Sequence, residues 1–325
     1  MADNKAISRS AETASTRLSR PKEQSLFSKN FQSIQSQIPL SAGQYNRRVK
    51  DDAQDEVTLL ELYARDAGFN PDELDKNWRV QLGSLGSGNH FIEVTVDEEG
   101  YIWLFLHSGS RGIGNKIASK YIKIAKDICN VNGIELPDQD LAYLDSGTDE
   151  FYQYIRQMNW AQTFAMMNRE VMMKRVKAAF TYHAGPFEEL EEVNCHHNFT
   201  QQEDHFGEKI WVTRKGAISA QAGQLGLIPG SMGDLSYVVE GLGNPMSFNS
   251  APHGAGRQHS RGSARKLFTM EDLEEKMAGI EWSHSSAFLD EHPNAYKPID
   301  TVMQDAVELV KVKHTLKQII NVKGD

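Results

Sequence analysis

Between residues 207 and 262 the chain carries 11 of its 25 glycines, along with Pro229, Pro245 and Pro252. Glycine loses more backbone freedom on ordering than any other residue, and proline removes a backbone donor, so regular secondary structure is expected to be sparse here. Trp211, Ile218, Leu225, Ile228, Met232 and Val238 are interleaved with the glycines, a pattern unlike a solvated linker. A flexible connection between domains is the plain alternative. The other reading is a packed, irregular segment whose missing Cβ atoms let a ligand come close to the backbone.

The end of that stretch, Ala251 to Gly262, sets His253 against Gly254 and Gly256, with Arg257 and Arg261 following. A phosphate can approach a backbone that has no side chains, and guanidinium forks suit its oxygens. The pattern fits phosphoryl or nucleotidyl transfer with His253 as nucleophile. A surface turn that happens to hold a histidine is the competing view.

Two apolar runs, 91–96 and 101–106, flank Asp97-Glu-Glu-Gly100 and predict a β-hairpin. A four-residue turn pairs 96 with 101, and the same register sets His90 opposite His107, where two imidazoles can share a metal. A chance pair of polar strand ends is equally compatible with the spacing. Glycine-rich loops, 83–89 and 108–114, adjoin both histidines and offer backbone N–H groups to phosphate. Further on, Cys195-His-His-Asn198 supplies two adjacent imidazoles. In an extended segment they point to opposite sides, so one at most faces a shared site.

With 325 residues and 39% hydrophobic content the chain can bury a large core. No run of eighteen apolar residues and no secretory signal occurs, so neither membrane nor export is indicated and the cytoplasm is expected. Cys129 and Cys195 cannot form a disulfide framework. A net charge of -9 excludes a uniformly basic nucleic-acid coat but not a locally positive groove. Residues 1–24 lack hydrophobic period and read as a mobile polar leader outside the fold. Helices are predicted from about 25 to Pro39, from Glu56 to Ala67 and over 150–180, the last with its methionines as core filler. The overall class is mixed α/β, one domain over 25–325 with the site in a central glycine-rich cleft.

In order along the chain stand Gly86-Ser-Gly-Asn-His-Phe-Ile-Glu93, His107-Ser-Gly-Ser-Arg-Gly112, Cys195-His-His-Asn198, Pro229-Gly-Ser-Met232, His253-Gly-Ala-Gly-Arg257, Ala295-Tyr-Lys297 and Val322-Lys-Gly324. In this series the chain resembles the RtcB-type RNA-splicing ligases, from about residue 25 to its carboxyl end. The resemblance implies a GTP- and Mn²⁺-dependent ligase of RNA repair and tRNA splicing. It would join RNA 3′-phosphate or 2′,3′-cyclic phosphate ends to 5′-hydroxyl ends through GMP carried on His253. His90, His107 and His197 would be metal ligands. Asn89, His90, Phe91, Ile92, Glu93, His197, Asn198, Pro229, Gly230, Ser231, Met232, Ser236, Gly254, Ala255 and Gly256 would line the nucleotide pocket. Glu93 would read guanine, Tyr296 stack on the base and Lys323 reach its edge, with Arg111 and Arg257 as candidates for RNA phosphate.

The family also carries an upstream Asp-x-x-Cys whose carboxylate and thiolate complete a two-metal site, and no such segment is in this sequence. Asp127-Ile-Cys129 has the wrong spacing and a helical pattern around it. The resemblance therefore implies an N-terminally incomplete domain and leaves three readings open. They are a fragment, a split half whose partner chain brings the segment, and a guanine-nucleotide or RNA-binding protein without turnover.

Overall fold

The computed structural model describes residues 13–18 and 26–325. Among these the strands are β1 (Thr13–Leu18), β2 (Phe91–Val96), β3 (Ile102–His107), β4 (Glu189–Cys195), β5 (Asn198–His205), β6 (Glu208–Lys215), β7 (Ala217–Ser219), β8 (Leu225–Ile228), β9 (Ser236–Gly241), β10 (Ser250–Pro252), β11 (Glu281–Trp282) and β12 (Val310–Lys323). The helices are α1 (Leu26–Gln37), α2 (Gln54–Asp66), α3 (Trp78–Gln81), α4 (Arg111–Val131), α5 (Asp149–Ala184), α6 (Arg261–Leu267), α7 (Met270–Lys276) and α8 (Ile299–Asp305). The class is mixed α/β, and the three predicted helices correspond to α1, α2 and α5. No helix among the described residues is long and apolar enough to cross a membrane.

The chain forms two compact units, and one of the boundaries between them falls within α5. The first comprises the described residues up to Gln44, Leu85–Ser108 and Met172–Asp325; the second comprises Tyr45–Ser84 and Gly109–Val171. In the second, α2, α4 and the start of α5 bury Leu60, Ile113, Ile117 and Phe164 around Trp78 and Trp160, whose rings meet edge to face at 5.4 Å. The Trp160 indole donates to the Leu60 carbonyl at 2.8 Å, which satisfies the one polar atom such a ring brings into a core.

All twelve strands belong to the first unit. Its main sheet runs β4-β1-β3-β2-β12-β9-β8, with β11 beside β12. Both faces are covered, so β2 and β3 read as apolar runs rather than as alternating strands. Phe91, Trp103 and Phe105 face one core, shared with β7 to β10 and α8. Ile92, Val94, Leu104 and Leu106 face the other, shared with α1 and the end of α5, where Met172 and Met173 are packed. The glycine-dense stretch holds β6 to β10, none longer than eight residues.

Two expectations differ from what is observed. The β2–β3 ladder pairs Phe91, not His90, with His107, and Val96 with Ile102. The loop is three residues long rather than four: Asp97 N–H bonds the Tyr101 carbonyl at 3.0 Å and Gly100 N–H bonds the Asp97 carbonyl at 2.9 Å. Gly100 is at φ 81, the left-handed residue that closes a three-residue hairpin loop. The Asp97 carboxylate accepts from the N–H groups of Glu99 and Tyr101 at 3.0 and 2.8 Å, so its own chemistry selected the loop.

The second difference lies in the segment 1–24 expected to stay outside the fold. Thr13–Leu18 is β1, inserted between β3 and β4, with Thr13 opposite both His107 and Cys195. Strand pairing on both sides supplies the ladder that the segment's polar composition does not advertise. The rest of 1–24 lies outside the described residues.

Candidate active site

The end of the main sheet where β3 and β4 finish and β2 starts gathers the chemistry. Odd-numbered residues of β2 share a face with His107, so Phe91 and Glu93 open onto the same side. β12 joins them by an irregularity: its register against β2 shifts between Gln318 and Ile320. The bulge reverses which residues face which core. Leu316 lies in one cluster while Ile320 and Val322 lie in the other, and Asn321 and Lys323 are turned toward Glu93 and Phe91, their partners in register.

A column of rings follows. Phe105 stacks on Phe91 at 5.7 Å, Phe91 on His107 at 5.5 Å, His107 on His197 at 4.7 Å and His197 on His253 at 4.5 Å. His90, just before β2, lies 5.7 Å from His107 by ring centroids. The two imidazoles meet although the predicted register was off by one residue. His197 faces this column and His196 packs on Phe199 at 5.5 Å, the opposite sides expected of neighbours in extended chain.

His253 is held by its Nδ1, 2.7 Å from the Gly216 carbonyl. A carbonyl only accepts, so Nδ1 carries the proton and the lone pair is on Nε2. Gly216 N–H is in turn bonded to the His197 carbonyl at 2.8 Å and to Asn198 Oδ1 at 3.1 Å. Gly216 is at φ +69, and a Cβ there would come within 3.3 Å of His253 Cε1. A Cβ on Gly254 would come within 3.0 Å of the Pro229 carbonyl, and on Gly230 within 2.3 Å of the Leu235 carbonyl.

A cleft opens beside His253. Asn89, Phe91, Glu93, His107, Pro229, Gly230, Ser231, Met232, Gly254, Ala255, Gly256, Arg257, Tyr296 and Lys323 line it with His253, as do Arg261, Glu291 and Asn321. Six proposed residues are not in its lining. Ile92 points into the opposite core because strand alternation separates it from Phe91 and Glu93. Ser236 is buried on β9; Asn198 orients Gly216 instead; His90 and His197 pack on His107, which does line the cleft. Arg111 lies in the second unit, where its Nε donates to Ser84 Oγ at 3.1 Å and burial lowers its pKa to about 10.

Charge in the cleft is organised around one buried carboxylate. Glu291 accepts from the Tyr296 hydroxyl at 2.6 Å and lies 3.3 Å from Lys323 Nζ, 3.2 Å from Arg257 and 3.5 Å from Arg261. Burial alone would raise its pKa, but Lys323, Tyr296 and the two arginines prevail and hold it below the usual carboxylate range. Glu93 goes the other way. Burial and the Asp234 charge outweigh Lys323 and the Asn321 amide, which donates to it at 2.9 Å, and its pKa rises to about 8. Arg257 lies 4.8 Å over the Tyr296 ring, so one face of that ring is already covered.

Burial first, then the facing imidazoles of His197, His90 and His253, push the His107 pKa well below its ordinary value. Neutral imidazole is the form that ligates metal, so the donor chemistry of this group fits a borderline divalent cation. Among the described residues, no three His, Cys, Asp or Glu side chains are disposed to hold a metal ion together. The fit is therefore one of donor type.

Sequence reasoning did not reach Glu291 or Asn321. Neither stands in a distinctive motif, and Asn321 reaches the cleft only because of the β12 bulge.

A family model described as tRNA-splicing ligase RtcB matches residues 6–324. The RNA-splicing ligase RtcB of Escherichia coli K12 is 48% identical over 260 residues, covering 78% of this chain and 64% of that protein. The tRNA-splicing ligase RtcB of Pyrobaculum aerophilum is 34% identical over 283 residues, covering 74% and 58%. That of Pyrococcus furiosus is 33% identical over 317 residues, covering 83% and 33%. The chain thus spans less than two thirds of the length of these relatives. A match running through every segment that builds the cleft establishes that this chain belongs to the tRNA-splicing ligase RtcB family.

Proposed function

We propose that the chain carries the nucleotidyl-transfer site of an RNA ligase that uses GTP and Mn²⁺ to join RNA 3′-phosphate or 2′,3′-cyclic phosphate ends to 5′-hydroxyl ends. The observation that carries this reading is His253, with Nδ1 bound to the Gly216 carbonyl, in the lining of a cleft it shares with Lys323, Arg257 and Arg261. With its proton fixed on Nδ1, the ring offers Nε2 to the α-phosphorus of GTP; the N–P bond forms as pyrophosphate leaves. Positive charge developing on the imidazole is stabilised by the Gly216 carbonyl, which accepts from Nδ1–H. GMP then passes from His253 to the RNA 3′-phosphate, and the 5′-hydroxyl displaces it as the new phosphodiester forms; cyclic ends are opened by water beforehand.

Lys323, Arg257 and Arg261 supply charge-assisted donors for phosphate oxygens. Glu93, protonated near neutrality, offers both a donor and an acceptor to a guanine edge. Phe91 presents an aromatic surface, and the Tyr296 ring is held in place by Glu291 and Arg257. His90, His107 and His197 are the residues that would hold manganese, which offsets negative charge on phosphate during displacement.

The test is to incubate the purified chain with Mn²⁺ and GTP labelled at the α-phosphorus. Acid-labile label on the protein, lost in His253→Ala, is the expected result. GTP bound with no covalent label overturns transfer and leaves a guanine-nucleotide-binding protein without turnover.

A further inference from the structure

A buried ion pair outside the cleft bears on how His253 is set. Arg214, near the end of β6, directs Nη1 and Nη2 at the carboxylate of Glu203 on β5, the second bond at 3.0 Å. All but 2% of Arg214 and 8% of Glu203 is shielded from solvent. His205 Nε2 lies 2.7 Å from the same carboxylate. A buried ion pair of this kind is weak evidence for stability, because desolvation offsets most of the attraction and apolar residues of similar volume often serve as well. Its remaining contacts are informative.

Arg214 Nη2 donates to the Phe248 carbonyl at 2.8 Å and Nε donates to Ser250 Oγ at 2.9 Å. Phe248 and Asn249 are both left-handed, at φ 52 and 49; such backbone persists in bulky residues only where the surroundings over-determine it. The segment then enters β10, which pairs with β7 so that Pro252 stands opposite Ala217. His253 follows Pro252, and Gly216 precedes Ala217. Arg214 thus grips the chain at Ser250, three residues before His253, from a point two residues before Gly216, so its grip ties together the two segments that carry the Nδ1 donor and the carbonyl acceptor.

We propose that Arg214, fixed by Glu203, is a positioning residue for His253: it sets the distance between the Gly216 carbonyl and the imidazole, and with it the Nδ1–H tautomer. The proposal rests on the reading of His253 as the nucleophile. A lysine offers one point charge where the guanidinium offers a planar fork, and cannot serve Glu203, Phe248 and Ser250 together.

The experiment uses the full chain with ¹⁵N-labelled histidine, the His253 signals being assigned by their loss in His253→Ala. In the wild type, the Nδ1 and Nε2 shifts of His253 should report the Nδ1–H form. In Arg214→Lys they should converge toward a tautomer mixture, and Ser250→Ala should move them part of the way. Single-turnover labelling from GTP should fall at least tenfold in Arg214→Lys and about threefold in Ser250→Ala, with the GTP Kd within threefold of wild type. A folded Arg214→Lys with the wild-type His253 spectrum and a labelling rate within twofold overturns the proposal. If Arg214→Lys does not fold, Ser250→Ala decides by the same readouts, an unchanged spectrum and rate overturning it. If the wild type takes no label, the proposed function fails while the tautomer comparison still decides the role of Arg214.

Discussion

At Gly216 one added methyl group meets two obstacles. The backbone is at φ +69, and the new Cβ would lie 3.3 Å from His253 Cε1. Gly216→Ala should therefore lose about 1–2 kcal/mol of stability from the left-handed backbone and, by pushing the ring, at least tenfold in labelling rate. Thermal unfolding and single-turnover labelling measure the two separately. Glu93 makes a different prediction. Its pKa is about 8 folded against 4.5 ordinarily, so the folded state holds a proton that the unfolded state has released. Stability must then fall as pH rises from 4.5 to 8. In Glu93→Gln, urea titrations across that window should show a smaller fall than wild type; an equal fall removes Glu93 as its cause. The contrast between these residues and Glu291 marks the limit of motif reading. His253 and its glycines stand in one contiguous stretch, and the absence of Cβ atoms is itself visible in the letters. Glu291 is one of 44 acidic residues, and its role comes from Lys323, Arg257 and Tyr296 converging on it from separate segments.

Between elements, register decides what shares a site. The β2–β3 runs announced a hairpin, but its pairing depended on whether Asp97 belonged to the loop or to the ladder. That choice was made by its carboxylate accepting from Glu99 and Tyr101, a local bond that hydrophobic pattern does not encode. The β12 bulge was equally silent, though it governs the side on which Asn321 and Lys323 emerge. The helices α1, α2 and α5 were legible because each repeats its apolar period over three turns or more. The β5–β6 hairpin supplies an electrostatic prediction at this scale. Burial would raise the Glu203 pKa, but bonds from Arg214, His205 and Gln201 outweigh it and hold the carboxyl at about 2, against 4.5 ordinarily. The pair's contribution is complete above 4.5 and is lost as pH falls from 4.5 toward 2. Acid unfolding followed by circular dichroism should be less steep in Glu203→Gln over that interval, and an unchanged slope would count against the pairing.

For the whole molecule the governing quantity is a net charge of -9 around a cleft that presents Lys323, Arg257 and Arg261. Long-range attraction of a polyanion is therefore weak, and RNA recognition under the proposed function depends on few local contacts. Two carboxylates temper even these: Glu291 faces all three cations, and Asp290 lies 3.6 Å from Arg261. Each phosphate neutralised on single-stranded RNA contributes about -0.7 to the slope of log K against log salt. Three cations thus set a slope no steeper than about -2, shallower still to the extent that Glu291 already compensates them. Fluorescence anisotropy with a short single-stranded RNA ending in a 3′-phosphate, titrated between 50 and 300 mM salt, measures it. Arg261→Ala should flatten the slope by somewhat less than one phosphate's worth, because Glu291 and Asp290 share its charge. A wild-type slope of about -5 or steeper would mean that a basic surface beyond these three side chains carries the RNA, and the cleft would no longer account for binding.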